Sequence, residues 1–148
     1  MSKVSRNFVI FKVNDLYCAL DCLDVREIIR DTKHVKTICR SDQYISGVIN
    51  LRGEIVSVMS LQKFFELKKQ TKEQAIIVVT FDKEHIGFKI SEILDVIEHD
   101  QNKVEACPTV PNGLKDEYIN GVFEWHGELV TILSVKGIVS LEEVGVGA

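Results

Sequence analysis

A repeated 22-residue segment constrains the fold of this chain more than any other feature. The segment Tyr44–Phe65 reads YISGVINLRGEIVSVMSLQKFF, and the segment Tyr118–Val139 reads YINGVFEWHGELVTILSVKGIV. The two align without a gap, and 8 of the 22 positions are identical. A repeat of this kind predicts two copies of one supersecondary unit. The chain is therefore expected to consist of two similar halves.

Each copy reads as a strand, a two-residue turn, a second strand and a short helix. Ser46–Leu51 and Glu54–Met59 are rich in β-branched residues, which pack well on a pleated sheet. Arg52-Gly53 separates them and predicts a tight hairpin turn, because glycine readily adopts the positive φ that such turns need. Ser60 then precedes apolar residues at helical spacing, where it is placed to cap the helix. Four glycines are interpreted as structural turn or backbone requirements, namely Gly47, Gly53, Gly121 and Gly127.

The segment before each repeat also has a counterpart in the other half. Asn7–Val13 and Ala75–Phe81 are apolar runs, each followed by turn residues and a return strand, so each half is predicted to begin with a β-hairpin. Asp21–Arg30 places its apolar side chains mostly on one side, which favours a short amphipathic helix or an irregular turn. Ser91–Glu98 repeats that pattern in the second half.

These elements predict a mainly β protein built from two similar five-stranded barrels with short helices. Five short antiparallel strands close most simply into a small barrel, which removes exposed strand edges. About 70 residues is near the lower limit for an independent core. The two barrels, roughly residues 7–70 and 75–140, are therefore expected to be intertwined subdomains of a single domain spanning residues 1–148.

Composition excludes several classes of function. The net charge is −4, from 18 basic and 22 acidic residues that are interleaved along the chain, so no basic stripe is available for nucleic acid. No run approaches the ~18 apolar residues of a membrane span, and the N-terminus has no signal-peptide cleavage pattern. A cytoplasmic protein without membrane insertion is expected, with Cys18, Cys22, Cys39 and Cys107 as reduced thiols.

A search for catalytic chemistry finds no enzyme signature. The chain has no GxSxG, no glycine-rich phosphate loop, no HExxH and no CxxC pair. Cys18 and Cys22 have a spacing that is loose for structural zinc. Glu54 and Glu128 are interpreted as solvated residues at strand ends, in preference to an acid–base pair. No metal, no cofactor and no catalytic residue is expected, and binding is the default function.

The motif GVINLRG at Gly47–Gly53, followed by EIVSVMSLQKFF, resembles the central signature of the CheW family of chemotaxis adaptors. VREI at Val25–Ile28 and IGFKISEILDVI at Ile86–Ile97 resemble other segments of that family, and the likeness runs from about Asn7 to Val139. The resemblance implies two five-stranded SH3-like barrels and a non-enzymatic adaptor that couples chemoreceptors to a CheA-type histidine kinase. The implied partners are the helical-hairpin tip of the receptor and the regulatory domain of the kinase.

The resemblance also implies a receptor-binding site. Glu27 and Arg52 match an acidic and a basic position tied to receptor binding, and a salt bridge between them would hold the wall of a groove. Asn50 could orient the turn by bonding to backbone groups. Four apolar residues could meet an apolar stripe on a receptor helix, and the alternative that they form barrel core stays open. They are Val25, Ile28, Val48 and Leu51.

Other functions also stay open at this point. This chain has SVMSLQ where the family usually has PVxDLR, so that Ser57, Ser60 and Gln62 replace the family's residues. A divergent adaptor or array spacer for another motility pathway, without kinase contact, is one alternative. An enzyme or small-molecule sensor that uses the groove between the barrels is another, and it would require a deep cavity with convergent polar groups.

Overall fold

Within residues 5–33, 35–36, 44–106 and 114–142, which are those that this computed structural model describes, the chain forms ten β-strands and two short helices. The expectations for Cys39 and Cys107 lie outside these residues. The strands of the first half are β1 Ser5–Val13, β2 Leu16–Asp21, β3 Val25–Ile29, β4 Ile45–Leu51 and β5 Glu54–Ser60, followed by helix α1 Leu61–Phe64. Those of the second half are β6 Ala75–Phe81, β7 Glu84–Ile90, β8 Glu92–Asp100, β9 Ile119–Trp125 and β10 Glu128–Leu133, followed by helix α2 Val135–Glu142.

The strands form two five-stranded sheets of the same topology, which confirms the mainly β fold. Sheet one has the order β8-β1-β2-β10-β9, and sheet two has the order β3-β6-β7-β5-β4. The two orders become identical when each strand of one half is replaced by its counterpart in the other half. The fold thus repeats the internal symmetry that the sequence predicted.

The two halves exchange their first hairpins. Hairpin β1–β2 of the first half lies in sheet one with β8, β9 and β10 of the second half, and hairpin β6–β7 lies in sheet two with β3, β4 and β5. Each exchanged hairpin joins its host sheet on both sides, antiparallel to β8 or β3 on one side. On the other side the contact is parallel, with Cys18 opposite Thr131 and Ile86 opposite Ser57. The sheets therefore do not divide the chain near residues 70–75, because each sheet takes strands from both halves.

Burial on both faces explains why the strands read as continuous apolar runs. Along β1, Val9, Phe11 and Val13 belong to the largest core cluster, which includes buried residues from both sheets and both helices. The alternate residues Phe8 and Ile10 belong to a smaller cluster confined to sheet one. A third cluster occupies the same place in sheet two. Each sheet therefore curls around its own small core and packs its other face against its neighbour.

Hydrogen-bonded closure of the predicted barrels is not observed among the described residues. The two end strands of each sheet form no ladder with each other in that part of the chain. Instead, an isolated bridge residue pairs with each of the end strands β4 and β9, where Lys36 pairs with Val48 and Glu105 pairs with Val122. Each five-stranded sheet therefore keeps an open seam between its end strands.

The structure corrects the prediction for Asp21–Arg30. The carboxylate of Asp21 accepts a hydrogen bond from the Leu23 amide at 2.9 Å and caps a single 3-10 turn, Cys22–Asp24. Strand β3 follows immediately and pairs with β6, with a bulge after Val25. The irregular turn is thus confirmed for three residues, whereas the helix is wrong. Its periodicity came from a turn followed by a bulged strand, because a bulge interrupts the two-residue alternation.

The cap predicted for α1 is confirmed, and it belongs to a larger polar network. The Ser60 hydroxyl accepts a hydrogen bond from the Lys63 amide at 3.4 Å and donates one to the Glu73 carboxylate at 2.5 Å. Two residues later, the buried Gln62 side chain exchanges two hydrogen bonds with the backbone of Thr71. The side chains of Ser60 and Gln62, at the start of α1, therefore hold the connector between α1 and β6 in place through hydrogen bonds.

Candidate functional site

The β4–β5 turn places Arg52 at the surface. Arg52 and Gly53 both have positive φ, +50° and +90°, the combination that matches the right-handed twist of a two-residue hairpin. The Asn50 side-chain oxygen accepts a hydrogen bond from the Gly53 amide at 2.9 Å. This bond holds the turn in one conformation, so the guanidinium of Arg52 extends from a rigid support. The Arg52 side chain is 68% exposed.

An ion pair between Arg52 and Glu27 crosses the open seam of sheet two. Nη2 of Arg52 donates to Oε1 of Glu27. Glu27 lies on β3 and Arg52 follows β4, so the pair joins the two end strands of the sheet order. Backbone hydrogen bonds do not connect these strands, and side chains therefore set their separation at this point.

A second ion pair joins β3 to the first residue of β5, at the same end of the seam. Nη1 of Arg26 on β3 donates to Oε1 of Glu54 on β5 at 3.0 Å. The sequence analysis missed this pair, because Glu54 was interpreted as an isolated solvated residue. The available signal was charge order, since Arg26-Glu27 on one strand faces Arg52 and Glu54 around the turn.

The four predicted apolar residues do not form one exposed wall. Val25 and Ile28 are half-buried and pack against the largest core cluster, and Leu51 packs against the core of sheet two. Val48 alone of the four lines a surface pocket of about 360 Å³. Ile55, which the sequence analysis did not single out, lines the same pocket and is 64% exposed.

The pocket lies next to the ion-paired seam. Asn50 belongs to both, because it lines the pocket and also bonds to the turn that carries Arg52. Lys33 and Lys36 form part of its lining, so that an apolar floor is bordered by positive charge. The structure thus brings Glu27, Asn50 and Arg52 together, with Val48 and Ile55 beside them. Such a surface can bind a partner that offers apolar side chains with acidic residues nearby.

The repeat-equivalent surface of sheet one has different charges. When the two halves are aligned, Leu94 and Asp95 on β8 occupy the places of Arg26 and Glu27. At the turn between β9 and β10, His126 occupies the place of Arg52. Because Leu94 carries no charge, the double ion pair of sheet two cannot be repeated there. The two halves share a fold but differ at this surface.

Neither a metal site nor a membrane-spanning helix is found in the described part of the chain. No group of three or more His, Cys, Asp or Glu side chains is arranged there to hold a metal ion. No helix among these residues is long and apolar enough to cross a bilayer.

Comparison with known proteins gives a consistent set of relatives. The family model described as CheW-like domain matches residues 7–143. The chemotaxis protein CheW of Treponema pallidum is 28% identical in an alignment of 142 residues that covers 92% of this chain and 83% of that protein. CheW of Helicobacter pylori is 30% identical over 88% of this chain and 79% of its own length. The crystal structure of the scaffolding protein TtCheW from Thermoanaerobacter tengcongensis matches with a TM-score of 0.80 and 27% identity, covering 89% of this chain and 86% of that one.

Proposed function

Because the chain belongs to the CheW-like domain family, we propose that it is a non-enzymatic adaptor that couples chemoreceptor signalling tips to a CheA-type histidine kinase. The names of its relatives, chemotaxis and scaffolding proteins, support this role. The coverage supports it too, since the family model takes in nearly the whole chain. The adaptor would act in the cytoplasm, at arrays of membrane receptors.

The seam of sheet two carries the receptor-binding part of the proposal. A receptor tip is a helical hairpin, and such a helix offers an apolar stripe to a groove. Val48 and Ile55 line a pocket of suitable chemistry, and the exposed Arg52 guanidinium stands beside it. The Glu27 carboxylate fixes the direction of that guanidinium. We assign Glu27, Asn50, Arg52 and Val48 to the receptor contact.

The altered SVMSLQ segment gives no reason to expect a lost kinase surface. Ser60 and Gln62 are both buried, and their side chains hold the connector through Glu73 and Thr71. Ser60 and Gln62 thus serve an internal network, while Ser57 lies half-buried on β5. Coupling to the kinase is therefore preferred over the spacer alternative.

A co-sedimentation assay tests the proposal, with a receptor signalling tip and a CheA regulatory domain added singly and together. We expect the protein to bind each partner alone and to bridge them when both are present. Binding to the receptor alone would favour the array spacer, and binding to neither would overturn the adaptor function.

Charge reversal at Arg52 tests the site itself. Arg52→Glu places a carboxylate against that of Glu27 at the seam, so we expect receptor binding to be lost. The circular dichroism spectrum should be unchanged, since an exposed ion pair contributes only about 0.2–1 kcal/mol to stability. Arg6→Glu is the matched control, because Arg6 forms a 2.8 Å pair with Asp21 on sheet one. Equal loss in both variants, or retained binding by Arg52→Glu, would remove Arg52 from the site.

A further inference from the structure

One carboxylate oxygen at the seam is approached by two arginines. Oε1 of Glu27 accepts from Nη2 of Arg52, and Nε of Arg26 lies 3.9 Å from the same oxygen. Both guanidinium groups are within reach of this acceptor, although only Arg52 is hydrogen-bonded to it. Another contact must therefore keep Arg26 from replacing Arg52 as the hydrogen-bond donor to Glu27.

Glu54 supplies that contact. Its Oε1 accepts from Nη1 of Arg26 at 3.0 Å, which directs the guanidinium of Arg26 away from Glu27. The second oxygen of Glu54 faces Nε2 of His85 at 3.9 Å. The four charges thus alternate along the seam as Arg52, Glu27, Arg26 and Glu54, and each inner charge has a neighbour of opposite sign on both sides.

The reverse competition exists for Arg52. Glu54 follows Arg52 by two residues on the same hairpin, and Leu51 and Glu54 are direct partners across the turn. Without Arg26, the Glu54 carboxylate would lose its 3.0 Å partner, retain His85 at 3.9 Å, and be free to rotate toward Arg52, which precedes it by two residues in the turn. It would then compete with Glu27 for that cation. Removing either charge of the second pair therefore diverts one member of the first pair.

We propose that Arg26 and Glu54 are positioning residues of the receptor-binding surface, which hold each other so that Glu27 and Arg52 remain paired across the seam. The inference rests on the proposed function, because it concerns the same surface. Neutralising Arg26 or Glu54 alone is therefore expected to weaken receptor binding, whereas neutralising both together is expected to restore it. With both charges removed, no competitor is left for Glu27 or for Arg52.

The experiment is a double-mutant cycle, read by isothermal titration of a receptor signalling tip. We expect Arg26→Gln and Glu54→Gln each to weaken binding by about threefold to tenfold, and the double variant to return to within about twofold of the unmodified protein. Melting temperatures should stay nearly constant, because both groups are at the surface. The matched controls are Arg6→Gln and Glu128→Gln, which make the same charge changes on sheet one and should leave binding unchanged.

Two outcomes of the titration would overturn the inference. Losses that add in the double variant would mean that both side chains contact the receptor directly. Unchanged affinity in both single variants would make the second pair irrelevant to binding.

A second measurement separates this inference from the proposed function. If the unmodified protein binds no receptor tip, the proposed function fails. The side-chain ¹⁵N spectrum of Arg52 in the free protein then decides the inference alone. Slow rotation of the guanidinium group in the unmodified protein and in the double variant, with faster rotation in Glu54→Gln and a shifted Arg52 side-chain resonance in Arg26→Gln, supports it. Equal rotation rates in all four proteins refute it.

Discussion

Replacing Gly137 by alanine has two opposing effects on stability, one from helix propensity and one from packing. Gly137 lies inside α2, where alanine is favoured over glycine by about 1 kcal/mol. In this fold, however, a Cβ atom at Gly137 would lie 1.7 Å from the carbonyl oxygen of Glu117 and 2.8 Å from its carbonyl carbon. Propensity alone therefore predicts stabilisation, whereas the structure predicts the opposite sign.

The size of the effect follows from what has to move. A comfortable contact for a methyl carbon is about 3.5 Å, so the helix and the Glu117 segment must separate by about 2 Å. Overpacking of this kind costs about 1–3 kcal/mol, and the upper end applies because the contact is with backbone. After the propensity gain of about 1 kcal/mol, we expect Gly137→Ala to lower the free energy of unfolding by about 2 kcal/mol.

Thermal unfolding followed by circular dichroism measures this effect. For a chain of this size, about 2 kcal/mol corresponds to a fall of roughly 6 °C in melting temperature. Lys63→Ala is the matched control, since Lys63 occupies the equivalent place in the first repeat and is exposed, and its effect should stay within about 0.5 kcal/mol. A melting temperature of Gly137→Ala at or above that of the unmodified protein would refute the packing argument.

Three further predictions concern buried polar and titratable groups. Ser91→Ala should lower the free energy of unfolding by about 1–3 kcal/mol in a denaturant titration, because the buried backbone N–H of Asn14 donates to the Ser91 hydroxyl at 2.9 Å. An unchanged denaturation midpoint would contradict this. Burial raises the pKa of the Glu73 carboxyl above its ordinary 4.5, so the folded state holds the proton more tightly and this group's contribution to stability falls as pH rises through that region. The melting temperature of Glu73→Gln should therefore rise relative to that of the unmodified protein between about pH 4 and about pH 7. A difference between the two melting temperatures that does not depend on pH would contradict the sign. Burial raises the pKa of the Cys18 thiol to about 12, so mass spectrometry should find a thiol reagent on the half-exposed Cys22 well before it appears on Cys18; equal rates would contradict that difference.

Local features of the sequence were sufficient for the elements of the repeat. The turn at Arg52-Gly53 and the cap at Ser60 depend on residues close together in the chain, and the structure has both. The segment at Asp21–Arg30 was harder to interpret, because a capped turn followed by a bulged strand imitates helical spacing. The Arg26–Glu54 pair was missed because its members are 28 residues apart, and only their charge order indicated that they meet.

The sequence by itself determined the two-fold repeat, the strand-forming segments and the tight turns, since each follows from alternation, branching and backbone preference within a few residues. Only the tertiary structure decided the exchange of hairpins β1–β2 and β6–β7 between the two sheets. A strand that is apolar on both faces carries no mark of which neighbour it will join. That choice also created the open seam of sheet two, where β3 and the β4–β5 turn meet through side chains. The ion pair of Glu27 and Arg52 is thus a product of topology, because the curl of the sheet brings its two end strands together.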